Sequence, residues 1–431
     1  MLAAVASIFR TPDLRKKVLF TLGLLALYRL GAVVPTPGVD YSAVQKCIDV
    51  VQGNSVYGLI NLFSGGALLK LSVFSLGVVP YITASIIIQL LTVVIPRLEA
   101  LKKEGQSGQA KMTQYTRYLT VGLAVLQCTG IVALARTPGR LFSGCSEQIV
   151  PNQSIAVILV MILVMTTGTV MVMWFGELIT ERGIGNGMSL LIFASILAGF
   201  PAQFAAIYQS KGAFIFALTL LVAIVTITAV VYVEQAQRRI PVQYAKRMVG
   251  NRLYGGASTY IPLKVNMAGV IPVIFASSLL YIPQLVVSLS GSQSGWAQWI
   301  QRNFSNGTEP YYLVVYFLLI IFFAYFYVAI TFNPVDVADD MKKYGGFVPG
   351  IRPGRPTAEY LNYVLTRLTF PGSLYLGIIA IIPFAGFAFL GVGQRFLFGG
   401  TSLLIMVGVG LDTVKQLQSQ LQQRNYEGFL R

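Results

Sequence analysis

The sequence predicts an all-α membrane protein that crosses the bilayer about ten times. Of its 431 residues, 55% are hydrophobic and only 11% are charged, whereas a soluble domain carries about 25% charged residues. Several apolar runs also reach the roughly 20 residues that a helix needs to cross a bilayer. Together these observations exclude a large soluble enzyme and indicate a polytopic membrane protein.

Ten apolar segments are the candidates for transmembrane helices. They are residues 18–34, 71–95, 118–135, 154–175, 188–208, 213–233, 268–288, 311–332, 370–390 and 400–417. The fifth is interrupted by Pro201, and the tenth turns polar at Asp412 and Lys415, so these two segments have the weakest signal.

Lysine and arginine are divided unequally between the two sides of these spans. One set of alternate loops and termini holds 24 of the 32 basic residues, and the other set holds six. Cytoplasmic loops carry the excess of positive charge, so both termini and the long loops 233–267 and 333–369 are predicted to be cytoplasmic. The net charge of +16 follows mostly from this bias. A second interpretation adds RNA or an acidic protein as a partner on the basic side.

The three cysteines are scattered along the chain. Cys128 lies in a predicted span, where we expect it to be packing, and Cys47 and Cys145 fall in loops on the extracytoplasmic side. Because disulfides form in compartments outside the cytoplasm, Cys47 and Cys145 can form one. Two free thiols are the alternative. No zinc site is expected, because the cysteines are far apart and the chain has no histidine.

Residues that would carry chemistry are missing from the spans. None of the 16 carboxylates falls in the middle of a span, no histidine is present, and no Gly-Lys dipeptide marks a P-loop. Ion-coupled transporters usually keep an ionisable group within the membrane. We therefore expect no catalytic, metal or cofactor site, and an energy source outside this chain. A small-solute transporter and a membrane insertase or protease remain alternatives from other classes.

One apolar segment is too short to cross a bilayer. Val56 to Phe63 (VYGLINLF) is eight residues long and is followed by Ser64, Gly65 and Gly66. Such a segment either rests at the membrane interface or is buried within the protein.

Prolines and polar side chains mark the second and seventh spans. Pro80 and Pro272 are predicted to bend these two spans, which would form a seam that can open. The polar residues are Thr83, Ser85 and Gln89 in the second span and Asn266, Ser277 and Ser278 in the seventh. Such hydroxyls and amides are more often packing hydrogen bonds than binding sites.

The two long cytoplasmic loops contain basic residues among prolines and glycines. These residues are Arg238, Arg239, Lys246, Arg247, Arg352 and Arg355. Ordered loops of this kind suit a docking surface, and six cations in the first loop could contact ribosomal RNA. The alternative is that their charge only sets the orientation in the membrane.

Nine stretches carry a resemblance to a known family. They are NLFSGGAL (61–68), PYITASIIIQLLTVV (80–94), KKEGQSG (102–108), QYTRY (114–118), GELITERGIGNGMSLLIF (176–193), PLKVNMAGVIPVIFASSLL (262–280), FVPGIRPGRPTAEY (347–360), TRLTFPG (366–372) and GGTSLLI (399–405). These stretches are long and specific, and with them the chain resembles the SecY family, the central subunit of the bacterial protein-translocation channel, over essentially its whole length.

The resemblance implies an architecture. Two inverted five-helix halves, 1–209 and 210–431, would surround a central pore, and a re-entrant plug helix at 56–66 would close it. The plug residues would be Tyr57, Leu59, Ile60, Asn61, Leu62, Phe63, Gly65 and Gly66.

The resemblance also implies a pore ring of aliphatic side chains. By their positions in the matching motifs, its members would be Val78, Ile82, Ile192, Ile274 and Ile405. The family commonly has isoleucine where this chain has Val78, so the ring would be slightly wider here.

A lateral gate would lie between the second and seventh spans, at Pro80, Pro272 and the six polar residues of those spans. Signal sequences would intercalate there, and apolar segments would leave through it into lipid. The basic loop residues, with Arg352 at a tip, would engage the SecA motor ATPase or the ribosome. The implied partners are SecE, SecG, SecA, the ribosome and unfolded preproteins, and the implied location is the bacterial inner membrane.

Overall fold

The computed structural model is mostly helical, with a small sheet on one side. It describes residues 11–51, 64–137, 145, 147–244, 247–249, 252–254, 258–290, 294–304, 309–390 and 400–427. The helices are α1 (Pro12–Gly31), α2 (Tyr41–Val51), α3 (Val79–Val94), α4 (Pro96–Lys103), α5 (Gln106–Ala135), α6 (Ile155–Arg182), α7 (Gly187–Gln235), α8 (Ile271–Ser290), α9 (Gly295–Phe304), α10 (Pro310–Thr331), α11 (Pro334–Lys343), α12 (Arg355–Leu390) and α13 (Gly400–Glu427). The strands are β1 (Gln237–Tyr244), β2 (Arg247–Val249), β3 (Arg252–Tyr254), β4 (Ser258–Lys264) and β5 (Gly346–Phe347).

A helix lies at each of the ten apolar segments, but these helices differ in how well they suit a membrane. Among the described residues, five are long and apolar enough to cross a bilayer: Gln106–Ala135, Ile155–Arg182, Gly212–Gln235, Pro310–Lys343 and Arg355–Ile382. A sixth candidate is the pair α3 and α4, which meet at a bend of 102°. The count of ten spans therefore stays a prediction.

The bends are not where the prolines predicted them. Pro80 lies in the first turn of α3, and Pro272 is the second residue of α8. Proline costs a helix little there, because the first amides have no partner within the helix. The prediction that these two prolines bend their spans is therefore wrong. Likewise, α7 continues through Pro201, and its non-helical residue is Gly212 (φ 80°, ψ 175°), where the predicted fifth and sixth spans meet.

The first third of the predicted second span is not helical. Residues 64–78 form successive turns that are mostly buried. Their backbone is held by hydrogen bonds from Thr36 N to Leu71 O and from Val73 N to Val34 O, both 3.0 Å long. Non-helical backbone is stable at membrane depth only where protein covers it, and these bonds and the burial provide that cover.

The two long basic loops, 233–267 and 333–369, fold together as a small sheet, which the all-α prediction did not include. Strand β1 is central, and it pairs antiparallel with β4 of its own loop and with β5 of the other loop. One face is apolar and packs over α11 and α12. The buried residues of the cluster between the sheet and these helices are Ile240, Val242, Leu263, Met341, Val348 and Leu361. The sheet therefore has a core of its own.

The apolar interior of the helical part divides into two clusters. The first runs through residues 24–200 and includes Leu403 and Ile405 of α13. The second runs through residues 230–407 and includes Ile86 of α3. Among the buried residues that the structure describes, α13 contributes to both clusters and α3 contributes Ile86 to the second, so the two clusters meet at these helices.

A disulfide joins Cys47 of α2 to Cys145, with a distance of 5.4 Å between the two Cα atoms. Both residues belong to the first apolar cluster, beside Val44, Ile149 and Val150. Of the two outcomes that the sequence left open, the structure has the bond. Cys128 is free and buried.

Candidate functional site

The first cluster brings together the five residues of the implied pore ring. Val78, Ile192 and Ile405 are almost completely buried in it, and Ile82 and Ile274 are partly buried and pack against it. Four helices contribute, since Ile82 lies on α3, Ile192 on α7, Ile274 on α8 and Ile405 on α13. Val78 immediately precedes α3. Residues far apart in the sequence thus belong to, or pack against, one apolar cluster.

Helices α3 and α8 are in apolar contact along the implied lateral gate. Ile86 of α3 is buried in the same cluster as Val273, Ala276 and Leu280 of α8. Among the predicted gate residues, Pro80, Pro272 and Ser277 are buried, and Thr83, Ser85, Gln89 and Ser278 are half-buried. The seam between these helices is therefore lined mostly by aliphatic side chains.

The gate hydroxyls make hydrogen bonds within their own helices. The Thr83 hydroxyl donates to the carbonyl of Val79 at 3.0 Å, and the Ser277 hydroxyl donates to that of Ile274 at 2.9 Å. Because both hydroxyls are satisfied locally, these bonds do not hold the two helices together.

Asn266 lies outside the seam, in the link between β4 and α8. Its side-chain amide donates to the carboxylate of Glu234 at 2.6 Å and to the carbonyl of Gly269 at 3.1 Å. In the structure it contacts the end of α7, and its place among the gate residues stays a prediction.

The small sheet formed by β1, β4 and β5 presents exposed cations. Arg238 and Arg239 lie on β1, and the Arg239 guanidinium stacks 4.9 Å from the ring centre of Tyr260. Arg352 is exposed just beyond β5, in the turn before α12. Arg355 is paired with Glu359 at 3.1 Å, so its charge is partly neutralised. Arg247 belongs to β2, and Lys246 lies outside the described residues.

Most of the predicted plug lies outside the described residues. Only Gly65 and Gly66 of its predicted members are described, and they form a turn rather than a helix. The carbonyl of Gly65 accepts a hydrogen bond from the Arg29 guanidinium at 3.1 Å. Beside it, the hydroxyls of Tyr28 and Ser195 are hydrogen-bonded at 2.8 Å. This turn is therefore held against α1 and α7.

Sequence reasoning missed two of these polar residues. Arg29 lies within the apolar segment 18–34, and a cation in such a segment is a signal that could have identified its contact with Gly65. Glu234 ends an apolar span, yet its side chain is only 8% exposed. Its partner lies 32 residues along the chain, and no local pattern indicates such a pair.

Comparison with known proteins shows the family to which this chain belongs. A family model described as SecY matches residues 72–414. The protein translocase subunit SecY of Streptomyces scabiei is 67% identical over 438 aligned residues, which cover 100% of both chains. The protein of the same name from Mycobacterium tuberculosis is 61% identical over 442 residues, again with 100% of both chains covered.

Solved structures with low sequence identity share the fold. A structure described as a protein conducting channel is 18% identical with a TM-score of 0.61, and the match covers 94% of this chain and 91% of the other. A SecY protein whose plug domain was studied is 19% identical, with a TM-score of 0.64 and the same coverage. Sec61 from a canine ribosome-channel complex is also 19% identical and gives 0.60, with the same coverage.

Proposed function

Because the chain belongs to the SecY family, it is a channel subunit of the protein translocase, and we propose that its first apolar cluster is the pore constriction. The observation that carries this proposal is that one apolar cluster contains Val78, Ile192 and Ile405 and has Ile82 and Ile274 packed against it. In this proposal the chain is a passive, gated conduit for unfolded polypeptides rather than an enzyme.

The chemistry of the cluster suits such a conduit. A narrow aliphatic collar excludes water and therefore ions without any binding site. The β-branched side chains of valine and isoleucine are stiff, so they keep the collar narrow at rest. They offer no hydrogen bonds, so a passing polypeptide of any sequence is not retained.

We propose α3 and α8 as the lateral gate. The seam between them is apolar, as the burial of Ile86 beside Val273 and Ala276 shows. Separating two apolar surfaces into lipid costs little, because lipid tails are as apolar as the side chains that they replace. An apolar signal sequence could therefore enter the seam, and transmembrane segments could leave through it.

The proposed architecture has ten spans in two inverted halves, with both termini in the cytoplasm of a bacterial cell and the plug at 56–66. The division of the interior into two clusters supports the halves. The disulfide between Cys47 and Cys145 supports the orientation, since disulfides persist outside the cytoplasm.

The cytoplasmic sheet is the proposed docking surface. It joins both basic loops through the pairing of β1 with β5, and it exposes Arg238, Arg239 and Arg352. Ribosomal RNA and an acidic face of the SecA motor are partners of suitable charge. SecE and SecG are the proposed companion subunits in the membrane.

Site-specific photocrosslinking tests the function. A secretory precursor stalled during export should crosslink to probes at positions 82, 192 and 274, and not to a probe at the lipid-facing position 224, which is exposed in this chain. A small-solute transporter would give no precursor crosslink at any of these positions.

A further inference from the structure

A buried polar pair lies between the cytoplasmic sheet and the gate helix α8. Glu234, near the end of α7, is 8% exposed, and Asn266 is 4% exposed. Their side chains are joined by a hydrogen bond of 2.6 Å. An aliphatic pore needs no such pair, and a buried polar group is costly unless it is hydrogen-bonded.

Asn266 lies on a six-residue link, 265–270, that connects β4 directly to α8, and Glu234 holds this link from the end of α7. The amide of Val265 donates to the carbonyl of Ala236 at 3.0 Å, which ties the start of the link to the end of α7. The side chain of Asn266 also donates to the carbonyl of Gly269 at 3.1 Å, which closes the link on itself. The link is thus a turn held by hydrogen bonds rather than a flexible connection.

Two further contacts hold this link and the end of β4 against α12 and α13. The carbonyl of Val265 lies so close to Gly372 of α12 that any side chain at position 372 would collide with it. Lys264, the last residue of β4, lies 3.6 Å from the carboxylate of Asp412 on α13. A displacement of the sheet therefore reaches α8 through few and well-defined contacts.

We propose that the Glu234–Asn266 pair is a coupling joint that transmits movement of the cytoplasmic sheet to α8, so that docking on the sheet separates α8 from α3. This inference rests on the proposed function and adds two positioning residues to it. Packed elements and hydrogen bonds carry such coupling when both ends belong to elements that can shift. Without the bond, the sheet could move while α8 stays in place.

The experiment measures the distance between labels on α3 and α8 in the reconstituted translocase. The substitutions Val93→Cys and Leu279→Cys place labels at exposed positions, while Cys128 is buried and the other two cysteines are bonded. Distances are recorded with and without empty bacterial ribosomes, and ribosome binding is measured separately by sedimentation. In the otherwise unsubstituted protein, we expect docking to lengthen the distance.

Four variants decide the question. Glu234→Ala and Asn266→Ala should bind ribosomes normally and show the same resting distance, but they should lose the lengthening. Precursor export should fall about tenfold in both. Glu234→Gln keeps an oxygen that accepts from Asn266 and should retain the lengthening. Glu181→Ala, which removes an exposed carboxylate at the end of α6, should behave like the unsubstituted protein.

The outcomes separate the joint from the function on which it rests. Full lengthening in Glu234→Ala or in Asn266→Ala would overturn the joint and leave the channel intact. If one alanine variant fails to fold, the other decides alone. No lengthening in the unsubstituted protein, despite ribosome binding, would overturn the joint and leave the proposed docking surface in place, whereas a lack of ribosome binding would overturn the docking surface.

Discussion

The first apolar cluster, which we propose as the pore constriction and call the pore cluster, and the small sheet are both built from distant segments of the chain, but different forces hold them. The five proposed ring residues belong to, or pack against, one apolar cluster. The sheet is fixed by a backbone register in which Arg239 lies opposite Pro262 and Gln243 opposite Phe347. Its outer face keeps its cations exposed.

This difference teaches how one chain can combine a permissive pore with a specific docking surface. Aliphatic contact has no direction, so the cluster can part around any polypeptide and close again. Hydrogen-bonded strands and exposed charges have direction, so the sheet can recognise one partner. Changes in the cluster should therefore alter the seal, and changes on the sheet should alter docking.

The largest effect is expected from widening the pore cluster. The triple change Ile82→Gly, Ile192→Gly and Ile274→Gly removes three side chains of the collar, so water and ions can enter. We expect the resting ion conductance in planar bilayers to rise by about tenfold or more, because a dewetted constriction becomes wet. The matched control changes Ile224, Ile378 and Ile382 to glycine, since these isoleucines are exposed on membrane helices.

The control carries the same cost of glycine in a helix, roughly 1 kcal/mol at each position. It should leave the resting conductance unchanged. Equal conductance in both triple variants would show that the cluster does not form the seal.

A smaller effect, on export rather than on resting conductance, is expected from a charge reversal beside the small sheet. Arg352→Glu reverses an exposed charge beside β5, so an acidic partner surface should be repelled. We expect SecA-driven export to fall about tenfold while resting conductance stays normal, since charge reversal disfavours the encounter of complementary surfaces.

Lys342→Glu reverses an exposed charge on the neighbouring helix α11 and serves as the matched control. Normal export by the Arg352→Glu variant would remove Arg352 from the docking surface.

The third prediction concerns the edge of the pore cluster at Cys47 and Cys145, which has a covalent link, whereas the sheet contains no cysteine. The double change Cys47→Ser and Cys145→Ser should lower the free energy of unfolding by about 2–4 kcal/mol, because the bond closes a long loop. Thermal unfolding of the purified protein measures this effect. Non-reducing peptide mapping that found both thiols free would contradict the bond itself.

The smallest effect is expected at the start of α2, on the same edge. The Asp40 carboxylate accepts hydrogen bonds from the hydroxyl and the amide of Ser42, at 2.8 and 2.9 Å, and these bonds hold its pKa below the usual value. The stabilisation is complete above the ordinary pKa of an aspartate, and it is lost as the pH falls through the lowered pKa.

The protection of the α2 amides against hydrogen exchange, measured relative to their intrinsic rates at the same pH, should therefore fall in Asp40→Ala, and at acidic pH in the unsubstituted protein, while Asp40→Asn stays protected. Unchanged exchange in Asp40→Ala would show that this carboxylate does not cap the helix.

The sequence motifs identified five residues that the structure has in or against the first apolar cluster, but they did not predict its surroundings. Ile192 and Ile405 could be identified because they stand within long family motifs, and the structure brings them together. Hydropathy, in contrast, did not show that α3 begins only at Val79, since residues 71–78 are as apolar as the helix that follows. The turn of this segment depends on Leu71 and Gly77, whose φ angles are positive (46° and 53°), and on bonds to residues 34–36.

Contacts between segments far apart in the sequence could not be predicted either. The two basic loops were predicted separately, and nothing local in Gly346 or Phe347 indicates a strand partner about 100 residues away. The same holds for Glu234 and Asn266. Cys47 and Cys145 could be named as a candidate pair, because only three cysteines are present, but their spacing could not decide between a bond and two thiols.

The central claim is that a polypeptide passes through the apolar cluster. A cryo-electron microscopy structure of the translocase with a stalled precursor tests it most directly. The account predicts extended precursor density in contact with Val78, Ile82, Ile192, Ile274 and Ile405, with these side chains parted around it and α8 displaced from α3. Precursor density along another path, with the five side chains still in mutual contact, would contradict it.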